Sequence, residues 1–259
     1  MNTLFAIALF LLLIISFLVG FNLPAPSETK SVEYDTHAFD VNSEIPNFSQ
    51  YKDIQKKKND FFAFLLPKVR HANDIILNER DALKEIQQAL PKLSSSQNKI
   101  LSELKEKYEV ELENNTDAVK ELLVRVDIIP ASLALAQAAN ESAWGTSRFA
   151  KLGNNLFGQW CYVKGCGVVP KQRAGHENHE VAKFDSVTDS IQSYMRNLNS
   201  QIAYKPLRDI RASARKNNES ITGLKLAKGL WGYSTRRDEY IHEIQAMIRF
   251  NQLQQFNRK

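Results

Sequence analysis

The sequence predicts a mainly α-helical protein of the α+β class, with a small β-hairpin in its second half. Residues 60–128 contain no glycine, and their apolar side chains recur at helical spacing. Nine of the 10 glycines, all 3 tryptophans and both cysteines lie at or beyond Trp144. Residues 179–184 alternate like a strand, which predicts a hairpin across 165–184. A helical scaffold followed by a glycine-bearing, aromatic part is therefore expected.

The composition indicates a globular protein and excludes a fully disordered, collagen-like or multi-span membrane chain. Hydrophobic residues make up 43% and charged residues 24% of the 259 residues. Lys and Arg number 34 against 29 Asp and Glu, so the formal net charge is +5. This mildly basic balance suits an anionic partner without selecting a nucleic acid, a membrane or a cell wall.

Residues 1–22 are interpreted as an N-terminal membrane anchor or signal segment. The uncharged stretch 4–21 is longer than the apolar region of a cleaved signal, which usually has about 7–15 residues. No basic residue precedes it, and Ala25 lies between two prolines, which makes a poor cleavage site. We favour an uncleaved single-pass anchor, and the acidic flank 28–44 favours export of the body.

The rest of the chain is divided into a polar linker or arm, 23–58, and one domain, 59–259. Within the domain, 59–128 is expected to be the helical scaffold part and 129–259 the catalytic part. In the scaffold we expect a helix break at Pro67 and a helix cap at Thr116 or Asp117.

The catalytic part is predicted to begin with a buried helix. Pro130 suits the start of a helix, and the residues from Ala131 to Glu141 are almost all small or apolar. Downstream, residues 186–189 resemble a capping box that opens a further helix, and the last helix is expected to start near Thr235.

The two cysteines, Cys161 and Cys166, are candidates for a disulfide. In an oxidising compartment they would close a small loop, and Gly165 and Gly167 would allow the turn. Two free thiols are the alternative. The pair alone does not predict a metal site, because the chain has no second cysteine pair.

The strongest functional signal is Glu141, a carboxylate at the end of an apolar helix. Loss of solvation raises a carboxyl pKa, and a protonated Glu can act as the general acid of a glycosidase. Trp144 and Phe149 follow closely and would supply an apolar wall or a platform for a sugar ring. The alternative is a structural ion pair between Glu141 and Arg148.

These residues also resemble a known family. The segment from Leu135 to Ala150, with Asn-Glu141-Ser-Ala-Trp144-Gly at its centre, and Asn154-Asn-Leu-Phe-Gly158 are similar to the catalytic segment of bacterial N-acetylglucosaminidases of glycoside hydrolase family 73. Tyr233-Ser-Thr235, followed by Tyr240, resembles a later block of that family. The lead-in 128–135 and the Gly-Gln-Trp-Cys continuation at 158–161 resemble the Bax-type branch most closely.

The resemblance implies a lysozyme-like fold and a role for each matching residue. Glu141 would be the general acid. A loop would shape the cleft through Asn154, Asn155, Phe157 and Gly158. Tyr233 would bind the 2-acetamido group or position water, and Trp144 and Tyr240 would contact substrate. No cofactor or metal is implied.

A second catalytic carboxylate is less clearly indicated. Many family members carry another acid on a downstream hairpin, and Glu180 is preferred to Glu177 for this role. In the alternative, neither acts, and the acetamido oxygen of the substrate is the nucleophile. The segment does not match the zinc motif HExxH, because its histidines lie three residues apart instead of four.

The function expected from these observations is that of an exported peptidoglycan hydrolase, an endo-β-N-acetylglucosaminidase. Members of the family are often called mannosyl-glycoprotein endo-β-N-acetylglucosaminidase or amidase. A lytic transglycosylase or muramidase, and a non-catalytic peptidoglycan-binding module, are the alternatives. We expect glycan strands and the membrane as partners, no nucleic acid, a candidate protein-docking surface on 60–128, a monomer, and a location in the cell envelope.

Overall fold

A long first helix, α1 (Ile54–Ala89), is the spine of the scaffold in the computed structural model, which describes residues 40, 43–170 and 179–257. Asp53 caps this helix by accepting hydrogen bonds from two backbone amides of the first turn. The helix is continuous through Pro67, so the predicted break is wrong. Proline removes one backbone hydrogen bond, but Leu66 and Lys68 on either side are buried, and packing holds the helix together.

Two further helices complete the scaffold, α2 (Ser95–Lys107) and α3 (Asn115–Arg125). The cap of α3 is Asn114, whose side chain accepts a hydrogen bond from the Asp117 amide. The expected cap at Thr116 or Asp117 is therefore wrong, because the helix begins before both of them. All three helices bury their apolar faces in the scaffold.

The next helix, α4 (Ala131–Glu141), is central, and residues 131–139 are all buried. After it, a short helix, α5 (Arg148–Gly153), leads to three antiparallel strands, β1 (Trp160–Cys161), β2 (Gly167–Val168) and β3 (Glu180–Ala182). Strand β3 lies between β1 and β2. The β2–β3 pair is the hairpin predicted from the sequence, and β1 adds a strand that was not predicted.

A disulfide joins Cys161 to Cys166, as the cysteine spacing and compartment predicted. It connects β1 to the turn that precedes β2. Strands β2 and β3 of this sheet pack against α5.

The remaining helices are α6 (Val187–Ser200), α7 (Lys205–Lys216), α8 (Gly223–Leu226) and α9 (Asp238–Phe250). The capping box at the start of α6 is present between Ser186 and Asp189, as predicted. Helix α9 starts at Asp238 instead of near Thr235. Helices α1, α8 and α9 and a final turn, Leu253–Phe256, pack around α4, so the described residues form a mainly α, lysozyme-like α+β fold.

Buried charges fix the segment that enters α4. Asp127 forms ion pairs with Arg215 and Arg80. Burial raises the pKa of Asp127, but hydrogen bonds and charges from these arginines and Arg211 hold it below its ordinary value. The Arg211 guanidinium, fully buried, donates to four backbone carbonyls of residues 124–128 and to Asn199. The start of the central helix is therefore held from several sides.

The described part of the predicted arm packs on the domain. Phe48 is buried and meets the Phe61 ring edge-on, with a centroid distance of 5.4 Å. Because α1 begins at Ile54, ordered structure starts before residue 59. The other proposed domain boundaries stay predictions.

Among residues 40, 43–170 and 179–257, none of the helices has both the length and the hydropathy needed to cross a bilayer. The segment 1–22, interpreted as an anchor or signal, lies outside the described residues.

Candidate active site

An open pocket of about 480 Å³ lies between the sheet, α6 and the turn before α9. The sheet side contributes Phe157, Gly158, Gln159, Trp160 and Tyr162. The other walls contribute Tyr194, Asn197, Tyr204 and Tyr233. Aromatic rings and amides dominate this lining, which is the usual composition of a saccharide-binding cleft.

Glu141 is the last residue of α4 and lies directly behind Gly158. A β-carbon built on Gly158 would be 3.6 Å from Oε2 of Glu141, so the carboxyl group flanks the pocket wall. Gly158 has φ of +63°, a conformation that glycine adopts without steric cost. The two family-like positions Glu141 and Gly158 are thus brought together.

Burial raises the pKa of Glu141 above its ordinary value. Hydrogen bonds donated by the Tyr240 hydroxyl and the Asn140 amide oppose that rise. The charge of Glu243 adds to the rise, and that of Arg236 opposes it. The net effect is a raised pKa, so the Glu141 carboxyl group keeps its proton to a higher pH than a glutamate in water does, as a general acid requires.

A chain of buried hydrogen bonds runs behind the Glu141 carboxyl group. Tyr194 donates to Oε1 of Gln137 at 2.6 Å. Nε2 of Gln137 donates to the Tyr240 hydroxyl at 2.9 Å. The Tyr240 hydroxyl also interacts with the Glu141 carboxyl group and affects its pKa. The predicted contact residue Tyr240 therefore lies beside the carboxyl group, 1% exposed.

Tyr233 supports the loop as well as lining the pocket. Its hydroxyl donates to the Phe157 carbonyl at 2.9 Å, and its ring stacks on Tyr240 with centroids 5.3 Å apart. The Phe157 ring stacks on Tyr194 at 3.9 Å. These contacts hold the loop next to Glu141.

The two asparagines of the predicted cleft loop act inside the fold. Asn154 ends α5 in the left-handed conformation, and its amide donates to the Phe184 and Asp185 carbonyls. Asn155 is 1% exposed, and its side chain bonds backbone groups of Phe157, Gln159 and Ala182. Both set the path of the loop, and neither lines the described pocket.

Trp144 does not lie in the pocket, so its predicted role as a sugar platform receives no structural support. Its ring meets Phe61 and Phe62 edge-on, with centroids 5.6 and 5.3 Å apart, and Lys58 Nζ lies 5.1 Å from it. The chain reverses after Glu141 with positive φ at Trp144, which turns this ring toward α1.

Glu180, the preferred second acid, is held by the disulfide loop. It is 5% exposed, and its two oxygens accept hydrogen bonds from the Gly165 and Gly167 amides at 3.0 and 2.8 Å. These two hydrogen bonds hold the disulfide loop in place, and they argue against the predicted role of Glu180 in proton transfer. Glu177 lies outside the described residues.

Metal-ligand atoms of Cys161, Cys166 and Glu180 lie within 4.8 Å of one another. The two sulfurs are bonded to each other and the carboxylate accepts from backbone amides, so this group serves as a structural clamp. A disulfide sulfur is a poor ligand, because metals bind the thiolate.

Comparison with known proteins assigns the chain to a family. Residues 116–253 match the family model described as mannosyl-glycoprotein endo-beta-N-acetylglucosaminidase. The chain is 34% identical over 212 residues to "Protein bax" of Escherichia coli (strain K12), covering 81% of this chain and 75% of that one. No solved structure matches the chain.

The chain belongs to the Bax-type branch of glycoside hydrolase family 73. The matched region contains α4, the sheet and every pocket wall described above. The similarity to Protein bax is longer than the region that matches the family model, so it extends into the helical scaffold.

Within this family framework, several residues around Glu141 were missed by the sequence reasoning. They are Gln137, Asn140, Tyr194, Tyr204, Trp160 and Tyr162. Gln137 alone carried a recognisable signal, because it is a polar residue one helical turn before Glu141 in an otherwise apolar helix. Asn140 directly precedes Glu141 and Trp160 lies in the continuation 158–161, whereas Tyr194 and Tyr204 come from segments that only folding brings to the site.

Proposed function

We propose that this family member is an endo-β-N-acetylglucosaminidase that cleaves the glycan strand of peptidoglycan, with Glu141 as the general acid. One observation carries the proposal. The Glu141 carboxyl group, partly desolvated, lies behind Gly158 at the wall of an aromatic-lined pocket.

The rings at the pocket mouth support binding of a saccharide. Trp160 is 58% exposed and stacks on His179 with centroids 4.1 Å apart. Tyr162 is 72% exposed. Exposed aromatic faces beside a polar pocket suit the apolar faces of pyranose rings. The amides of Gln159 and Asn197, which also line the pocket, suit sugar hydroxyl groups.

We propose that the substrate supplies its own nucleophile. Glu180, the preferred second acid, is occupied by the Gly165 and Gly167 backbone amides. Glu141 protonates the leaving glycosidic oxygen while the bond from that oxygen to C1 breaks. The acetamido oxygen of the same N-acetylglucosamine bonds to C1 and forms an oxazolinium ion, which keeps the N–H proton. Water then opens that ring, and the Glu141 carboxylate takes the proton of the water.

The same single acid would also serve a lytic transglycosylase, which is the second candidate. The engagement of Glu180 by backbone amides favours it as much as it favours substrate assistance. The products distinguish the two, because a transglycosylase leaves an anhydro-muramic end and no new reducing N-acetylglucosamine.

The test is digestion of purified sacculi, followed by borohydride reduction and mass spectrometry. Wild type should release chains that end in reduced N-acetylglucosamine, and Glu141→Gln should release none. Glu239→Gln is the matched control, since Glu239 is exposed on α9. Unchanged cleavage by Glu141→Gln would contradict the assignment. Binding of sacculi without cleavage by wild type would favour a non-catalytic module.

We further propose that the protein acts in the cell envelope as a monomer, attached to the membrane through 1–22. The family's glycan substrate and the uncharged segment 4–21 support this location. Cell fractionation of the full chain and of a chain that lacks 1–22 tests it. The full chain should sediment with membranes and the shortened chain should not.

A further inference from the structure

We infer that Gln137 is a positioning residue that fixes the hydrogen-bond direction of Tyr240 and thereby the protonation of the Glu141 carboxyl group. The inference rests on the proposed function for its catalytic consequence. Its structural basis is the buried chain from Tyr194 through Gln137 and Tyr240 to Glu141.

Gln137 and Glu141 lie one turn apart on the same face of α4. Gln137 is 0% exposed and uses both ends of its amide. Its oxygen accepts from Tyr194 at 2.6 Å, and its nitrogen donates to Tyr240 at 2.9 Å. Because Gln137 is absent from the pocket lining, it acts on the site only through its neighbours.

The direction of each hydrogen bond in this chain follows from which groups carry a donor proton. An amide nitrogen only donates, so the Tyr240 oxygen must accept at Gln137. A hydroxyl group has one proton, and that of Tyr240 is then directed to Glu141. In the opposite amide orientation, Tyr240 would give its proton to Gln137 and offer only lone pairs to Glu141.

The consequence concerns the charge state of Glu141 during a catalytic cycle. A donated hydrogen bond stabilises the ionised carboxylate that remains after proton transfer. Burial alone favours the protonated form of Glu141. It would make the ionised carboxylate, which is left after proton transfer, costly in free energy. Gln137 therefore balances desolvation, so that Glu141 can release its proton and take one back.

Other groups also face Glu141 and must be held constant. Tyr194 on α6, Tyr204 before α7 and Tyr233 before α9 interact with its charge, as does Arg236, which is paired with Glu243 on α9. A change at Gln137 leaves all of these side chains in place. Because Gln137→Glu adds a carboxyl group one turn from Glu141, only the part of the titration shift that is lost without the Tyr240 hydroxyl reports on the chain through Tyr240.

The test uses the full chain with ¹³C-labelled glutamate carboxyl groups, and follows the Glu141 signal by NMR titration. Glu141→Gln assigns the signal by removing it. In Gln137→Glu, the new side chain accepts the Tyr240 proton, and the Glu141 midpoint should rise by about one pH unit. In Gln137→Met, Tyr240 can still donate, so the rise should be smaller. A merely structural role predicts that the difference between the two variants is the same with and without the Tyr240 hydroxyl.

Two further measurements sharpen the result. Tyr240→Phe should raise the midpoint by itself, and Gln137→Glu in that background should raise it less than in wild type. In the pH profile of kcat for glycan cleavage, Gln137→Glu should move the basic limb upward with KM unchanged.

An unchanged Glu141 midpoint in Gln137→Glu, or a full shift that persists without the Tyr240 hydroxyl, overturns the inference. If Gln137→Glu does not fold, Tyr194→Phe replaces it. That variant keeps the ring that stacks on Phe157 but frees the Gln137 amide to turn, so an unchanged midpoint there counts equally against the inference. The titration needs no turnover, so a wild type that cleaves no glycan refutes the proposed function without refuting the positioning role.

Discussion

Gly158 covers Glu141 so closely that any β-carbon at this position would contact the carboxyl oxygen, at 3.6 Å. The contact joins the end of the central helix to the loop that enters the sheet. Because residue 158 is glycine, no side-chain atom of the loop fills the space beside Oε2 of Glu141 at this point.

Gly158→Ala should reduce glycan cleavage by about tenfold, because the new methyl group would lie in van der Waals contact with Oε2 of Glu141 and occupy space through which a substrate oxygen would approach it. Its positive φ should also cost about 1–2 kcal/mol of unfolding free energy. Gly165→Ala is a matched control, since Gly165 has φ of +85° and a β-carbon at that position would meet nothing within 4 Å. Equal activity losses in both variants, measured with urea denaturation alongside, would mean that backbone strain and not the methyl group beside Glu141 is responsible.

The pH dependence of stability should reveal the buried carboxyl group. The pKa of Glu141 is raised in the folded state, so folding favours its protonated form. The stability gained is full below the ordinary pKa of 4.5 and is lost as pH rises through the higher folded-state value. Relative to Glu141→Gln, wild type should therefore lose unfolding free energy on going from pH 4 to pH 7, as measured by urea denaturation. A constant difference across that range contradicts the raised pKa.

Glu180→Gln should lower stability while it preserves catalysis. Replacing the carboxylate weakens two hydrogen bonds from Gly165 and Gly167, a loss of about 1–3 kcal/mol. A second catalytic acid would instead show a loss of about 10²–10⁴-fold in kcat. Exposed Glu85→Gln serves as the control for both measurements. A loss of catalysis at unchanged stability would restore the role that the sequence suggested.

Two tryptophans should show opposite phenotypes. Trp144→Leu should cost about 1–3 kcal/mol of unfolding free energy, because it opens the contact with Phe61 and Phe62, with kcat/KM unchanged. Trp160→Ala should raise KM about 3- to 10-fold through loss of a ring platform. Its stability should stay within about 0.5 kcal/mol of wild type, because the ring is 58% exposed. Saccharide titration and thermal unfolding of both variants measure these effects.

Features set by neighbours in sequence were predictable. The buried helix that ends at Glu141, the capping box at Ser186 and the cysteine loop all depend on local spacing, and the structure has each of them. Glu141 stood out because a carboxylate in an apolar helix is costly unless its environment accommodates it.

Features set by distant partners were not predictable. Trp144 was expected at the cleft, but its aromatic neighbours on α1 come from more than 80 residues earlier in the chain. Glu180 resembled a catalytic acid because strand alternation says nothing about the amides that its carboxylate meets. Pro67 was expected to end a helix, since local propensity does not include the burial of its neighbours.

The disulfide between Cys161 and Cys166 connects one wall of the pocket with the redox state of the compartment. Tyr162, part of the pocket wall, lies inside the loop that this bond closes. Disulfides form and persist in oxidising compartments, whereas the cytoplasm keeps thiols reduced. A reducing environment would therefore remove one covalent closure of the loop that carries Tyr162, while the hydrogen bonds from the Gly165 and Gly167 amides to Glu180 need no disulfide.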